Sequence, residues 1–96
     1  MLLKFTEPAE IDLSEIGEYI AKDNPINALR FIEKLHERCG LLTKNPFSGR
    51  PRNETGSGLR SIIFGRYVIF YHVIDDCLEI VRIIHGSRDI PRVLNF

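Results

Sequence analysis

Five apolar residues, Ala28, Ile32, Leu35, Cys39 and Leu42, recur at i, i+4, i+7, i+11 and i+14 between two Asn-Pro pairs, Asn24-Pro25 and Asn45-Pro46. That spacing is the period of an α-helix with one apolar stripe. The first pair starts the helix, because an Asn side chain caps the free amides of a first turn and proline suits the first helical position. The second pair stops it, since the residue before a proline is pushed out of the helical region. A helix of about 20 residues, ~30 Å long, is expected. Leu29, Phe31 and Leu41 widen its stripe, and Cys39 lies on it as a core residue. With 96 residues in all, the chain has material for one core around such a helix and not for two. Residues 1–96 therefore read as a single domain.

A shorter helix precedes this one. Ala9, Leu13, Ile16 and Ile20 fall at i, i+4, i+7 and i+11, with Thr6 or Glu7 as the cap and Pro8 in the first turn. Asp23-Asn24-Pro25 leaves so short a connection that the two helices are expected to form an antiparallel hairpin. Before them, Leu2-Leu3-Lys4-Phe5 is a candidate strand. After them, residues 45–58 hold five Gly or Pro and little apolar content, which reads as a long loop carrying Arg50 and Arg52. Three strands follow, Leu59 to Phe64, Tyr67 to Ile74 and Cys77 to His85. Gly65-Arg66 allows a type II′ turn and Asp75-Asp76 a second tight hairpin. The order is β-α-α-β-β-β with a C-terminal segment. It is an α+β class, with the helical hairpin packed on one face of a small antiparallel sheet. The central strands are apolar on both faces, so Ile90, Val93, Leu94 and Phe96 are expected to cover part of the other face, or a partner is. Ile32, Leu35, Ile69 and Val81 are expected to be buried together.

Thirteen Lys and Arg balance thirteen Asp and Glu. The zero hides a division: residues 1–48 carry six bases against eight acids, and residues 49–96 carry seven bases against five acids. Every base in the second half is arginine, whose planar fork suits carboxylates, phosphates and interfaces. A surplus of two is too small for nonspecific binding to nucleic acid, which needs several phosphate contacts. No apolar run approaches a membrane span and no signal segment is evident, so a soluble cytoplasmic protein is expected, with its two cysteines reduced.

Most familiar site chemistry finds no sequence to carry it. His36, His72 and His85 are far apart and neither Cys forms a close pair, so no metal site is expected. No phosphate-binding glycine loop or nucleophile elbow is present, and no cofactor is implied. The polar residues that stand out lie on or beside the sheet: Arg60 in its first meander strand, Arg66 in a turn, Arg82 inside Ile-Val-Arg-Ile-Ile, His85 at a strand end, and Arg88 just beyond. A buried Arg82 must be paired, and Asp89 or Glu79 is the expected partner. Tyr67 and Tyr71 share one face of their strand, as core residues with polar tips.

Gly58-Leu59-Arg60-Ser61, Gly65-Arg66-Tyr67-Val68-Ile69-Phe70-Tyr71 and Leu78 through Asp89, with Ala9-Glu10-Ile11-Asp12-Leu13, Tyr19-Ile20-Ala21 and Asn45-Pro46 before them, resemble the ParE branch of the RelE/ParE toxin superfamily. The resemblance spans nearly the whole chain. It implies the same fold, and a toxin of a type II toxin–antitoxin module of the plasmid stabilisation type. It also implies a cognate ParD-like antitoxin as tight partner, while operator DNA is bound by the antitoxin and not by the toxin alone.

Two activities occur in that superfamily. RelE-like members cut mRNA in the ribosome with a cationic cluster and a terminal acid or base. Their lysine pair would fall at Leu59 and Ser61, their strand arginine at Val68 and their terminal tyrosine near Leu94; only Arg88 retains the charge. ParE-like members instead inhibit DNA gyrase, by binding rather than catalysis. The resemblance thus implies a gyrase inhibitor, with Arg60, Arg66, Arg82, His85 and Arg88 as target or antitoxin contacts. The alternatives are a ribosome-dependent mRNA endonuclease using His85 and Arg88, or an inactive member that only binds its antitoxin.

Overall fold

A computed structural model describes residues 1–53, 58–88 and 90. The elements are β1 (Leu2–Phe5), α1 (Glu7–Ala21), α2 (Pro25–Leu42), β2 (Arg50–Pro51), β3 (Arg60–Phe64), β4 (Tyr67–Ile74) and β5 (Cys77–His85). The caps are those the sequence signals: Thr6 Oγ1 accepts from the Ala9 N–H at 3.1 Å, and Asn24 Oδ1 from the Asn27 N–H at 3.1 Å. Both hairpin turns have two residues, with positive φ at Gly65 (59°) and Asp75 (55°). Glycine takes that conformation without strain, and aspartate tolerates it.

The sheet order is β1-β5-β4-β3-β2. Two features depart from the sequence reading. First, β1 lies parallel to β5, with Leu2 beside Cys77 and Phe5 beside Ile80, so the sheet is mixed rather than purely antiparallel. A first strand followed by two helices returns to the sheet through a long crossover, which permits a parallel pairing that no hairpin could make. Second, the segment expected to be all loop contains β2, where Arg50 and Pro51 pair with Ser61 and Arg60.

The main core lies between the helices and one face of the sheet. Ala9 and Ile16 of α1, Leu35, Cys39 and Leu42 of α2, and Ile69, Tyr71, Leu78, Ile80 and Ile83 of the sheet are all buried in it. Ile32 is only half-buried. Val81 packs on the opposite face with Leu59, Phe70 and Ile84, against the expectation that placed it beside Leu35. The cause is a β-bulge. Phe70 pairs with Arg82 while the adjacent Tyr71 pairs with Ile80, which leaves Val81 as an extra residue in β5. The bulge brings Ile80 and Ile83 onto the same face, and Val81 and Ile84 onto the other. That second face is closed in part by Ile90 and by the Arg52 guanidinium, 5.2 Å from the centre of the Phe70 ring. Val93, Leu94 and Phe96 lie outside the described residues.

Candidate functional site

Three of the five singled-out residues meet where α1 crosses the end of β5. The β1 strand hands over to α1 at the bulge: the Thr6 N–H donates to Ile80 O at 3.0 Å and Thr6 Oγ1 to Val81 O at 2.8 Å. One turn into α1, Asp12 receives Arg82. Nε donates to Oδ2 at 2.7 Å, Nη2 to Oδ1 at 2.9 Å, and the Ile83 N–H also donates to Oδ2 at 2.9 Å. Arg82 is thus in an ion pair, as expected of an arginine inside an apolar strand, but with Asp12 rather than with Glu79 or Asp89. Glu79 is engaged elsewhere, 2.7 Å from Nε2 of His72 across the strand pair. Asp89 lies outside the described residues. The Asp12 hydrogen bond, opposed by desolvation, raises the Arg82 pKa further above its already basic value. Arg82 is therefore a fixed cation that holds the two layers together.

Beyond this pair a small cleft opens, lined by Glu15 and Tyr19 of α1, Tyr67 of β4, and His85 and Arg88. His85 stands edge-on to Tyr67, with ring centres 5.3 Å apart, and Tyr67 in turn packs edge-on against Phe31 of α2. The Ser87 N–H donates to Nδ1 of His85 at 3.1 Å, so the neutral ring carries its proton on Nε2. Burial, with the neighbouring Tyr19, raises the Tyr67 phenol pKa against the opposing pull of Arg66. Arg66 is exposed in the β3–β4 turn. Its carbonyl accepts from the Gly86 N–H at 2.8 Å, which draws that turn against the end of β5. Arg66, His85 and Arg88 therefore belong to one end of the sheet.

Arg60 belongs to the other end. Its Nη1 donates to Phe47 O at 3.0 Å and Gly49 O at 2.9 Å, and its guanidinium lies 5.2 Å from the centre of the Phe47 ring. Tyr71 completes this fastening: its buried hydroxyl accepts from the Gly49 N–H at 2.8 Å. A Cβ on Gly49 would stand 2.4 Å from that hydroxyl, so only glycine fits there. Arg60 and Tyr71 together tie the chain between α2 and β2 down onto the sheet.

Three of the positions at which the resemblance placed ribonuclease cations are neutral, and two of them, Leu59 and Ser61, are buried. Leu59 is 2% exposed in the second core. Ser61 is 6% exposed, and its Oγ accepts from Nη1 of Arg52 at 3.0 Å. Val68 packs on the same second core. Among the described residues, no three His, Cys, Asp or Glu side chains gather as a metal site would require. No described helix is long and apolar enough to cross a membrane.

Residues 3–90 match the family described as the ParE toxin of the type II toxin–antitoxin system parDE. Y4kP of Sinorhizobium fredii is 32% identical over 92 residues, covering 96% of this chain and 95% of that protein. Toxin RelE2 of Caulobacter vibrioides is 34% identical over 84 residues, covering 88% and 93%. A solved structure, the chromosomal ParDE toxin–antitoxin system from P. aeruginosa, superposes with a TM-score of 0.77 at 26% identity, covering 91% of this chain and 97% of that one. A family match across both helices and the whole meander, joined to a matching fold, leads to one conclusion: this chain belongs to the ParE toxin family of type II toxin–antitoxin systems.

Proposed function

We propose that this toxin acts by binding DNA gyrase and stalling it on cleaved DNA, and that a cognate ParD-like antitoxin neutralises it. The observation that carries the choice of target is the state of the first two meander strands. Cleavage of RNA by its own 2′-hydroxyl needs a proton acceptor, a proton donor and cations beside the phosphate. Leu59, Ser61 and Val68 supply no charge, and Leu59 and Ser61 are sealed from solvent. Only His85, at the end of β5, and Arg88 just beyond it remain for the ribonuclease alternative. Exposed Arg66 and Arg88, with His85 between them, form the surface best suited to an acidic or DNA-bearing target. Arg82 supports that surface from within through Asp12, while Arg60 acts at the other end of the sheet, where it holds Phe47 and Gly49.

Purified toxin added to gyrase and supercoiled plasmid tests the reading. Linear, cleaved DNA should accumulate and supercoiling should fall, while mRNA in a translation reaction stays intact. Cutting of ribosome-bound mRNA, abolished by His85→Ala, would establish the endonuclease alternative instead. Induced expression with no growth arrest, and antitoxin binding retained, would mark an inactive member.

A further inference from the structure

The cleft between α1 and the end of β5 gathers polar groups that the fold itself does not use. Asp12 on its wall is committed to Arg82 and to the Ile83 amide. Glu15, one turn further along α1, is exposed, and its carboxylate has no hydrogen-bond or ion-pair partner among the described residues. The Tyr67 hydroxyl, Nε2 of His85 and the Arg88 guanidinium line the same cleft and likewise have no hydrogen-bond partner among those residues.

The walls are aromatic. Tyr19, 70% exposed, stands on α1 and Tyr67 on β4, so each layer contributes one phenol ring. The buried Ile16 and Ile83 close an apolar base. The cleft holds about 160 Å³, small beside the roughly 300–1,000 Å³ of pockets that enclose drug-sized ligands. One flat ring system is the size class, stacked on the tyrosines.

The free carboxylate chooses among flat rings. It can only accept hydrogen bonds, and its two oxygens call for two donors side by side. Among the nucleobases guanine alone offers that pair, N1–H beside the 2-amino group. Adenine and cytosine set a ring acceptor beside their amino group, and thymine has a single N–H between two carbonyls. Arg88 and the Nε2–H of His85 are donors and suit the phosphate attached to such a base. A phosphate alone would leave Glu15 and the tyrosines unused, an aromatic amine would leave Arg88 and His85 unused, and an acidic peptide would be repelled by Glu15.

We propose that the cleft between Tyr19 and Tyr67 is a binding site for a guanine base with an adjoining phosphate, Glu15 reading the base and Arg88 with His85 holding the phosphate. The proposal deepens the reading above and rests on it for the choice of this end of the sheet as the functional surface.

The test titrates the isotope-labelled full chain with GMP. Resonance shifts should centre on Glu15, Tyr19, Tyr67, His85 and Arg88. GMP should bind roughly tenfold tighter than AMP or than IMP, which lacks the 2-amino group. Glu15→Gln should bring GMP down to the level of IMP. Tyr19→Ala should weaken every nucleotide roughly fivefold or more. Arg88→Ala should weaken GMP and leave guanosine, which has no phosphate, unchanged. All three side chains are exposed, so melting should not move and lost binding is not lost folding. The deoxy-pentamers TTGTT and TTTTT separate the two sources of the base. Tighter binding of TTGTT than of GMP or TTTTT assigns it to a nucleic-acid strand; GMP binding as well or better assigns it to a free nucleotide, and both support the site. The proposal fails if GMP and AMP bind alike, if Glu15→Gln changes nothing, if the shifts fall outside the cleft, or if neither GMP nor TTGTT binds. No gyrase is present in this titration, so its failure leaves the target to the cleavage assay. A toxin that takes up GMP and leaves gyrase untouched overturns the target and keeps the site.

Discussion

Removing Asp12 should be among the most damaging single changes on α1. The carboxylate accepts three hydrogen bonds, two from Arg82 and one from the Ile83 amide. In Asp12→Ala the guanidinium loses its counter-charge, and a backbone N–H in the core-facing layer loses its acceptor. Breaking a fully buried pair costs about 3–5 kcal/mol. Here the side chains are 23% and 10% exposed, so water partly compensates Arg82, and about 2–4 kcal/mol is expected after that discount. For a domain of this size the melting temperature should fall by about 10–25 °C. Urea and thermal melts of Asp12→Ala, Arg82→Met and the double variant give the coupling directly. The double variant should be less destabilised than the sum of the singles by about 1–3 kcal/mol. Asp12→Asn, which keeps an acceptor for Ile83, should lose less than Asp12→Ala. If Asp12→Ala melts within about 0.5 kcal/mol of the wild type, an ordinary surface effect, the pair is not what joins α1 to β5.

Gly49→Ala should cost about 1–3 kcal/mol, because its methyl group meets the buried Tyr71 ring and must displace it; a melt tests this, and an unchanged midpoint would refute the close approach. Cys39 carries a pH dependence. Burial pushes its thiol up from 9.0 to about 11, so on alkalinisation the unfolded chain loses this proton first. The unfolded state then binds fewer protons, and stability is complete below pH 9 and falls as pH rises to about 11, by about 2–3 kcal/mol from this group. Cys39→Ala should remove that part of the alkaline slope in urea melts at stepped pH. Arg66→Ala and Arg88→Ala, both at exposed positions, should reduce gyrase trapping several-fold while leaving melting within about 0.5 kcal/mol; loss of stability instead would make them structural.

The helices were legible because their signals are local. Asn24 and Thr6 cap, prolines follow, and the apolar stripe keeps its period over four turns. The meander was legible for the same reason, since Gly65 and Asp75 fall between alternating apolar runs. What depends on distant pairing was not. The parallel partner of β1 lies more than 70 residues away, and β2 has no pattern of its own, being held by Arg60 and Tyr71 through Gly49. The bulge was hidden because Ile80-Val81-Arg82-Ile83-Ile84 is apolar on both faces, so an extra residue changes no visible alternation. Plain alternation therefore predicts the wrong side for Val81, which packs with Leu59, Phe70 and Ile84.

The ion pair between Asp12 and Arg82 did leave a signal, one that becomes readable when two patterns are compared. Asp12 lies between Ala9 and Ile16 at i, i+3 and i+7, on the stripe that α1 buries, and it is the acid of that helix that is buried. Arg82 is the cation placed inside the most apolar strand. Each charge violates the pattern of its own element, and neither is tolerable in a core alone, since an unpaired buried charge costs several kcal/mol. If one helix and one strand each contain a single such violation and must pack face to face, the two are each other's partners. Local candidates such as Glu79 are less suitable on the same reasoning, because Glu79 is only half-buried and has His72 as its direct cross-strand neighbour. The same comparison separates support from surface among the arginines. Arg82 and Arg60 interrupt apolar strands and are taken up by Asp12 and by the Phe47 and Gly49 carbonyls. Arg66 and Arg88 sit in turns and break no pattern, and they stay exposed, where a partner can reach them.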